Sequence, residues 1–372
     1  MSLMQRKELY KSIVAYRNKP LIAYVTSIRP NLSGMMAGDA ISSIISQINA
    51  IPKEIREIDF LIISNGGDPI TALRIIGLLR ERFDHISVFL PYVAYSAATV
   101  LSLGADEIIM HPFSNLGPVD PQLTVSRKNG QGMQEQLQFS SEDIRNYIEF
   151  VRTDVGVSDQ QHLISAITPL LTEVGALPIG SAKRGQQLSL SLSEKMLCTH
   201  MDDKNKAKTI AKMLNSSYYH HGYAVSRKEA LELGLNIIEP DAFLEDALWK
   251  LWRDFAEEMK CDDPFDFTKE LMNNPAADAS ISQVPIINLP ANTPPQLAQQ
   301  IIATHAQNIP ITTRTSIKIR ELVASIESID LAYAVFSDLD ILYWRNPDMS
   351  LGVNCTKTGT GWIEYPQEVQ NE

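Results

Sequence analysis

Two short stretches of this sequence combine the residue types that acyl-transfer chemistry requires. The first is Asn65-Gly66-Gly67. Consecutive glycines let backbone N–H groups turn toward a ligand with no Cβ in the way. Such donors are needed where negative charge develops on a carbonyl oxygen, and losing one typically costs about 100- to 1000-fold in rate. The second is Ser96, followed by the small residues Ala97 and Ala98. A serine at the start of a helix presents its hydroxyl where the helix dipole favours negative charge. The N–H of Ala97 would then be a donor beside that of Gly67. Each stretch also has a plainer reading, a tight turn for the glycines and a helix N-cap for the serine. Their separation by one βα unit favours the chemical reading: a nucleophile, Ser96, facing an oxyanion hole built around Gly66, Gly67 and Ala97.

The elements that must position these residues are legible from hydrophobic periodicity. Residues 21–28 (LIAYVTSI), 58–64 (IDFLIIS), 86–90 (ISVFL) and 107–110 (EIIM) are short, apolar and rich in β-branched residues, as buried strands are. Between them, Ile41, Ile44, Ile45 and Ile48, and then Leu73, Ile76 and Leu79, recur at helical spacing. Strands alternating with helices at this cadence form a parallel sheet of βαβ crossovers, and near-continuous apolar strands imply helices on both faces. Residues 122–138 are polar and contain glycine, which reads as a mobile surface loop. Helices are expected over 141–155, 159–174, about 185–214, 226–235 and 242–260, and Met1–Lys19 is helical in pattern. Beyond Cys261 the chain is punctuated by Pro264, Pro275, Pro285, Pro290, Pro294 and Pro295, which places a boundary near residue 260.

At this point a resemblance becomes specific. The run Ser64-Asn65-Gly66-Gly67, then Ser96-Ala97-Ala98, then Gly104-Ala105-Asp106-Glu107-Ile108-Ile109-Met110, then Leu116-Gly117-Pro118-Val119-Asp120-Pro121-Gln122, resembles the serine dehydrogenase proteinase family. That family belongs to the Clp-protease/crotonase superfamily and is related to the signal peptide peptidases. The likeness is strongest over about residues 20–125 and resumes at His221-Gly222-Tyr223 and at Glu229–Leu235. Relatives usually carry glycines after the serine where this chain has Ala97 and Ala98, a change that keeps the N–H. The fold class expected is α/β, a Clp-protease/crotonase-like spiral of βαβ units with a smaller C-terminal α+β appendage. Residues 1–260 would be the peptidase domain and 261–372 an appendage for assembly or partner binding. The resemblance also implies a homo-oligomer and a protein or peptide substrate.

The resemblance further suggests what activates Ser96. Counted from Gly104-Ala105, Asp120 falls where the Clp peptidases place their catalytic histidine, and His220 and His221 fall near where they place their acid. A triad of Ser96, a histidine (His221) and Asp120, with base and acid in swapped chain order, follows, since triads are recognised by geometry. The signal peptide peptidases use a serine–lysine dyad instead, for which Lys128, Lys183 and Lys195 are the candidates. The plain alternatives are a turn-capping Asp120, a surface histidine pair and ordinary surface lysines.

Composition narrows the remaining classes. With 33 basic and 44 acidic residues the net charge is −11, which disfavours nucleic acid and anionic membranes as partners. Lys204, Lys206, Lys208 and Lys212 read as a solvated helix face. Cys198, Cys261 and Cys355 are odd in number and lack zinc spacing, and His85, His162, His200 and His305 lack partners at metal spacing, so no metal or cofactor is expected; His111, after a buried strand and before Pro112, reads as a packed strand-end histidine rather than a base. No run reaches the roughly 18 apolar residues of a membrane span, and a cytoplasmic location is the expectation. Two other readings share the same motifs: a crotonase-like acyl-CoA enzyme, which needs no serine nucleophile, and a catalytically inert assembly or adaptor module.

Overall fold

The computed structural model describes residues 3–128, 133–216, 222–281, 288–308, 314–346, 348 and 350–365. The chain opens with helix α1 (Leu3–Arg17), strand β1 (Leu21–Thr26), helix α2 (Ile41–Ala50), strand β2 (Glu57–Ile63) and helix α3 (Pro69–Arg82). Strands β3 (His85–Leu90) and β4 (Val93–Ala94), helix α4 (Ala97–Ser102), and strands β5 (Glu107–Met110) and β6 (Asn115–Leu116) follow. β1, β2, β3 and β5 lie side by side and parallel, the α/β arrangement expected from the cadence of the sequence. Successive side chains of a strand point to opposite faces. Ile22, Tyr24, Phe60, Ile62, Val88 and Leu90 therefore pack against α2, α3 and α4, while Ala23, Val25, Leu61, Ile63 and Phe89 face the other way.

A lobe projects from this sheet. Strands β7 (Gln122–Lys128) and β8 (Gln134–Ser140) form an antiparallel hairpin, followed by helices α5 (Ser141–Thr153), α6 (Gln160–Val174), α7 (Ala176–Leu197) and α8 (Lys204–Ser216). The hairpin replaces most of the loop expected over 122–138. Leu123, Val125, Leu137 and Phe139 alternate with polar residues, so one face packs on the lobe helices while the other meets water. Its glutamines and glycines mask that alternation. The single helix expected over 185–214 is two helices, because the Asp203 carboxylate accepts from the N–H groups of Asn205 and Lys206 and starts α8 afresh. No single helix among the described residues is long and apolar enough to cross a membrane; α6 and α7 together reach that length but meet at a bend of 93°.

Strand β9 (Val225–Ser226), helix α9 (Arg227–Glu232) and strand β10 (Ile237–Ile238) return the chain to the sheet, where β10 pairs parallel with β5. Helix α10 (Ala242–Glu258) then covers the second face together with α1. Beyond residue 260 come helices α11 (Phe267–Met272), α12 (Pro275–Ser280) and α13 (Pro295–Asn308) and strands β11 (Thr315–Glu327), β12 (Ala332–Arg345), β13 (Leu351–Gly359) and β14 (Ile363–Glu364). These strands continue the central sheet. β11 pairs antiparallel with β1, Ala23 opposite Glu327, and the nine-stranded sheet runs β10-β5-β3-β2-β1-β11-β12-β13 with β14 on β12. The C-terminal segment expected as an α+β appendage thus lends its strands to the central sheet. The edge of β1 would otherwise present unpaired N–H and C=O groups, and β11 satisfies them.

An ionic hub joins the two ends of the chain. Arg6 of α1 is fully buried and donates to both oxygens of Glu327 on β11 (2.9 and 2.8 Å), to Asp254 (2.5 Å) and to Glu258 on α10. The Tyr10 hydroxyl also donates to Glu327, at 2.9 Å. Removing the cation would leave buried carboxylates uncompensated, so Arg6→Met is expected to cost about 3 kcal/mol in urea denaturation at neutral pH. An unchanged unfolding midpoint would mean that the hub contributes nothing net.

Candidate active site

The glycine turn at the end of β2 is held from three sides. Ser64, just past the strand, donates its N–H to Val93 O (3.0 Å) and accepts from Tyr95 N–H (2.9 Å), tying β2 to the segment that carries Ser96. Its hydroxyl oxygen accepts from Gly66 N–H at 3.0 Å and lies 2.8 Å from Thr26 Oγ1. Met36 N–H donates to Gly66 O (2.8 Å), and Asp68 N–H donates to Met36 O (2.9 Å). Asp68 then caps α3 through Ile70 N–H, with Pro69 at the first helical position.

Both glycines are required by this geometry. Gly66 has φ +104°, and a Cβ on it would lie 2.6 Å from Tyr95 O, 2.8 Å from Ser96 Cβ and 3.1 Å from Ala97 N. Gly67 has φ +147°, and a Cβ there would lie 2.2 Å from Met36 O. The turn therefore abuts Ser96 directly. The Gly66 N–H is engaged by Ser64, so within the expected hole Gly66 makes room for Ser96 and leaves Gly67 and Ala97 as the candidate donors. The N–H groups of Gly67 and Ala97 donate to no backbone or side-chain acceptor among the described residues.

Ser96 itself adopts φ 52°, ψ −117°, a conformation that L-residues rarely take. Its hydroxyl does not cap α4, so the N-cap reading is set aside. A strained, half-exposed serine between a strand and a helix is the arrangement that presents a nucleophile at a sharp turn. Thr99 locks it in place. Thr99 Oγ1 lies 2.7 Å from Ala94 O and 2.9 Å from Gly117 O, and Gly117 N–H donates to Ala94 O at 2.9 Å. Ser64 and Thr99 escaped the sequence reading; the only trace they leave there is a small hydroxyl residue two or three positions from a key residue.

Asp120 lies three residues beyond Gly117. Its Oδ2 accepts from Gln122 Nε2 at 3.2 Å, and its Oδ1 is buried without a hydrogen bond of ordinary geometry among the described residues, the Ser140 side chain being the neighbour that favours the carboxylate beside Gln122. Burial first, then the nearby Glu142 and Asp143 carboxylates, push its pKa up to about 6. The folded chain holds this proton more tightly than an unfolded chain, whose aspartates titrate near ~4. The resulting stabilisation is complete below about pH 4 and is lost as pH rises through about 6. Asp120→Asn, which cannot ionise, is expected to flatten that decline and to be more stable than wild type at pH 7. Urea midpoints at pH 4, 5, 6 and 7 check this; an equal slope in the variant would assign the decline to other groups.

The other candidates are dispersed. Lys183 is exposed and donates to Gln186 at 3.4 Å, and Lys195 is exposed on α7. Lys128 ends β7, its side chain outside the described residues, and His220 and His221 lie wholly outside them. His111 is buried, its Nδ1 accepting from Phe113 N–H at 3.1 Å, and burial lowers its pKa. His200 Nε2 sits 3.0 Å from Leu103 O. Among the described residues no side chain hydrogen-bonds the Ser96 hydroxyl, and no group of three His, Cys, Asp or Glu side chains is placed to hold a metal.

Comparison with known proteins covers the same stretch of the chain. Residues 31–132 match the ClpP-like SDH-type serine proteinases. The matched segment contains Gly66, Gly67, Ser96, Ala97 and Asp120, and the family likeness read from the sequence is borne out. Two uncharacterized proteins of Methanocaldococcus jannaschii are 29% identical over 197 residues and 28% identical over 194, each alignment covering 52% of this chain. The alignments take in 57% and 56% of those relatives, so the chain spans little more than half their length. Among solved structures, a variant of the 1510-N membrane-bound stomatin-specific protease is similar, with 14% identity, TM-score 0.37, and 60% of this chain and 82% of that one covered. A second variant of that protease, in complex with a substrate peptide, has 13% identity and TM-score 0.34 over 60% and 77% of the two chains. At the level of family the likeness is to serine peptidases of ClpP-like type.

Proposed function

We propose that the chain hydrolyses polypeptides with Ser96 as nucleophile. The observation that carries this reading is the backbone of Ser96, held at φ 52° with an uncapped hydroxyl against the Gly66–Gly67 turn, while the N–H groups of Gly67 and Ala97 are unengaged among the described residues. Ser96 Oγ attacks the scissile carbonyl carbon and its proton passes to a base. The tetrahedral oxyanion is held by Gly67 and Ala97 N–H. The C–N bond breaks as the leaving amine takes a proton, and water then hydrolyses the acyl-enzyme.

For the base we favour a histidine oriented by Asp120. The buried Oδ1 of Asp120 has the acceptor capacity that an imidazole N–H requires. The chain flanking His220 and His221 is anchored on both sides of the Leu116–Asp120 segment: Val119 N–H donates to Leu214 O at 2.9 Å, and Val225 pairs with Leu116. These anchors support His221, with His220 the neighbour to test beside it. The exposed positions of Lys183 and Lys195 make a lysine base less favoured, because only a desolvated lysine is neutral near pH 7. Homo-oligomeric assembly and a partner-binding role for residues 261–372 belong to the same proposal.

The test is labelling by a fluorophosphonate, followed by peptide mapping. The expected result is a single adduct on Ser96, absent from Ser96→Ala and much slowed in His221→Ala. No adduct at any pH from 6 to 9, in protein shown to be folded, would leave the inert-module or acyl-CoA readings.

A further inference from the structure

We propose that a strip of aromatic side chains between Tyr92 and Phe113, beside the Tyr95–Ser96 segment, extends the Ser96 site and binds an apolar side chain of an extended polypeptide. This rests on the peptidase reading of Ser96. β4 and β6 run parallel, Val93 opposite Asn115 and Ala94 opposite Leu116, with Asn115 N–H donating to Tyr92 O at 2.7 Å. At one end of this ladder a Cβ on Gly117 would lie 2.6 Å from the Tyr95 ring, next to Ser96. Phe113 precedes β6 in the turn closed by Ser114 N–H on His111 O at 2.9 Å.

A run of ring contacts starts at Tyr92, three residues before Tyr95. Tyr92 stacks on Trp252 (centroids 4.3 Å, planes 12° apart) and meets Trp249 edge-on at 6.5 Å. Trp249 stacks on His111 (5.0 Å, 14°), and Phe113 stands edge-on to both His111 (5.1 Å) and Trp249 (5.2 Å). Trp252 and His111 are buried beneath, whereas Phe113 is 62% exposed. A phenylalanine held in water by two stacked neighbours is a preorganised apolar surface that lacks a counterpart within the described chain. None of the six side chains carries a charge at neutral pH, since burial also favours the neutral form of His111. The chemistry selects an aliphatic or aromatic side chain over a charged one.

Binding is measured apart from cleavage, on the full Ser96→Ala chain, with tryptophan fluorescence as the signal. The probes are a blocked octapeptide of alternating Ser and Gly, and the same peptide with one Leu near either end. At least one Leu peptide is expected to bind about tenfold more tightly than the polar one. Adding Phe113→Ser should bring the two within about threefold, while Phe150→Ser, an equally simple change at an exposed phenylalanine of α5, leaves the preference intact. Equal affinities in Ser96→Ala, or a preference that survives Phe113→Ser, would overturn the strip even if fluorophosphonate labels Ser96. A preference abolished by Phe113→Ser in a protein whose Ser96 resists labelling would instead overturn the peptidase reading and leave the strip standing as a peptide-binding surface.

Discussion

Replacing Ser96 by alanine is expected to lower peptidase activity by about 10,000-fold or more while leaving the fold intact. The size follows from removing the attacking atom itself; the residual rate would come from the oxyanion donors and substrate binding. The fold survives because the Ser96 hydroxyl caps nothing and bonds to nothing among the described residues. Ser96→Gly separates chemistry from strain. At φ 52°, ψ −117° a Cβ is unfavourable, so glycine should be as inactive as alanine yet more stable than wild type by about 1 kcal/mol. Peptidase assays and urea denaturation of the three proteins together decide it. Retained activity in either variant would sink the nucleophile assignment. A glycine variant no more stable than wild type would show that the Ser96 conformation stores no strain.

Gly67→Ala is expected to cost about 4 kcal/mol and to abolish activity in whatever fraction folds. The new Cβ would lie 2.2 Å from Met36 O and 2.7 Å from Met36 N, so the bridge from Met36 to Gly66 and Asp68 has to open. The positive φ of Gly67 adds backbone strain. Opening the bridge also swings the Gly67 N–H away from Ser96, which removes one of the two proposed donors. Gly77, where a Cβ would meet nothing within 4 Å, is the control: Gly77→Ala lies inside α3 and should be neutral or stabilising. A Gly67→Ala protein with wild-type urea midpoint and activity would show that neither the bridge nor the N–H matters.

The two kinds of substitution probe different layers of the same unit. Ser96 tests the chemistry, and Gly67 tests the scaffold that makes the chemistry possible. Ser64 and Thr99 belong to the scaffold as well. Each uses one hydroxyl to join separate segments: Ser64 links Gly66 to Thr26, 38 positions before Ser64, and Thr99 links Ala94 to Gly117.

Local periodicity was sufficient to determine the parallel core by sequence alone. The runs at 21–26, 57–63, 85–90 and 107–110 are buried on both faces, so their composition and length carry the signal without reference to distant residues. The same holds for the site motifs, because an NGG turn after one strand and a small-residue helix start after the next are contiguous in sequence. What only the tertiary structure decided is whatever depends on partners far along the chain. The pairing of β11 with β1 joins residues about 300 positions apart, and nothing in either strand names its neighbour. The engagement of Gly66 N–H by Ser64, which leaves Gly66 a spacing role beside Ser96, depends on the angle at which the turn leaves the sheet. The strain at Ser96 is likewise invisible in a serine's identity; it arises because Ser64, Thr99 and Gly117 over-determine the backbone around it. Sequence specifies which groups are available, and long-range hydrogen bonding specifies which of them remain free to act.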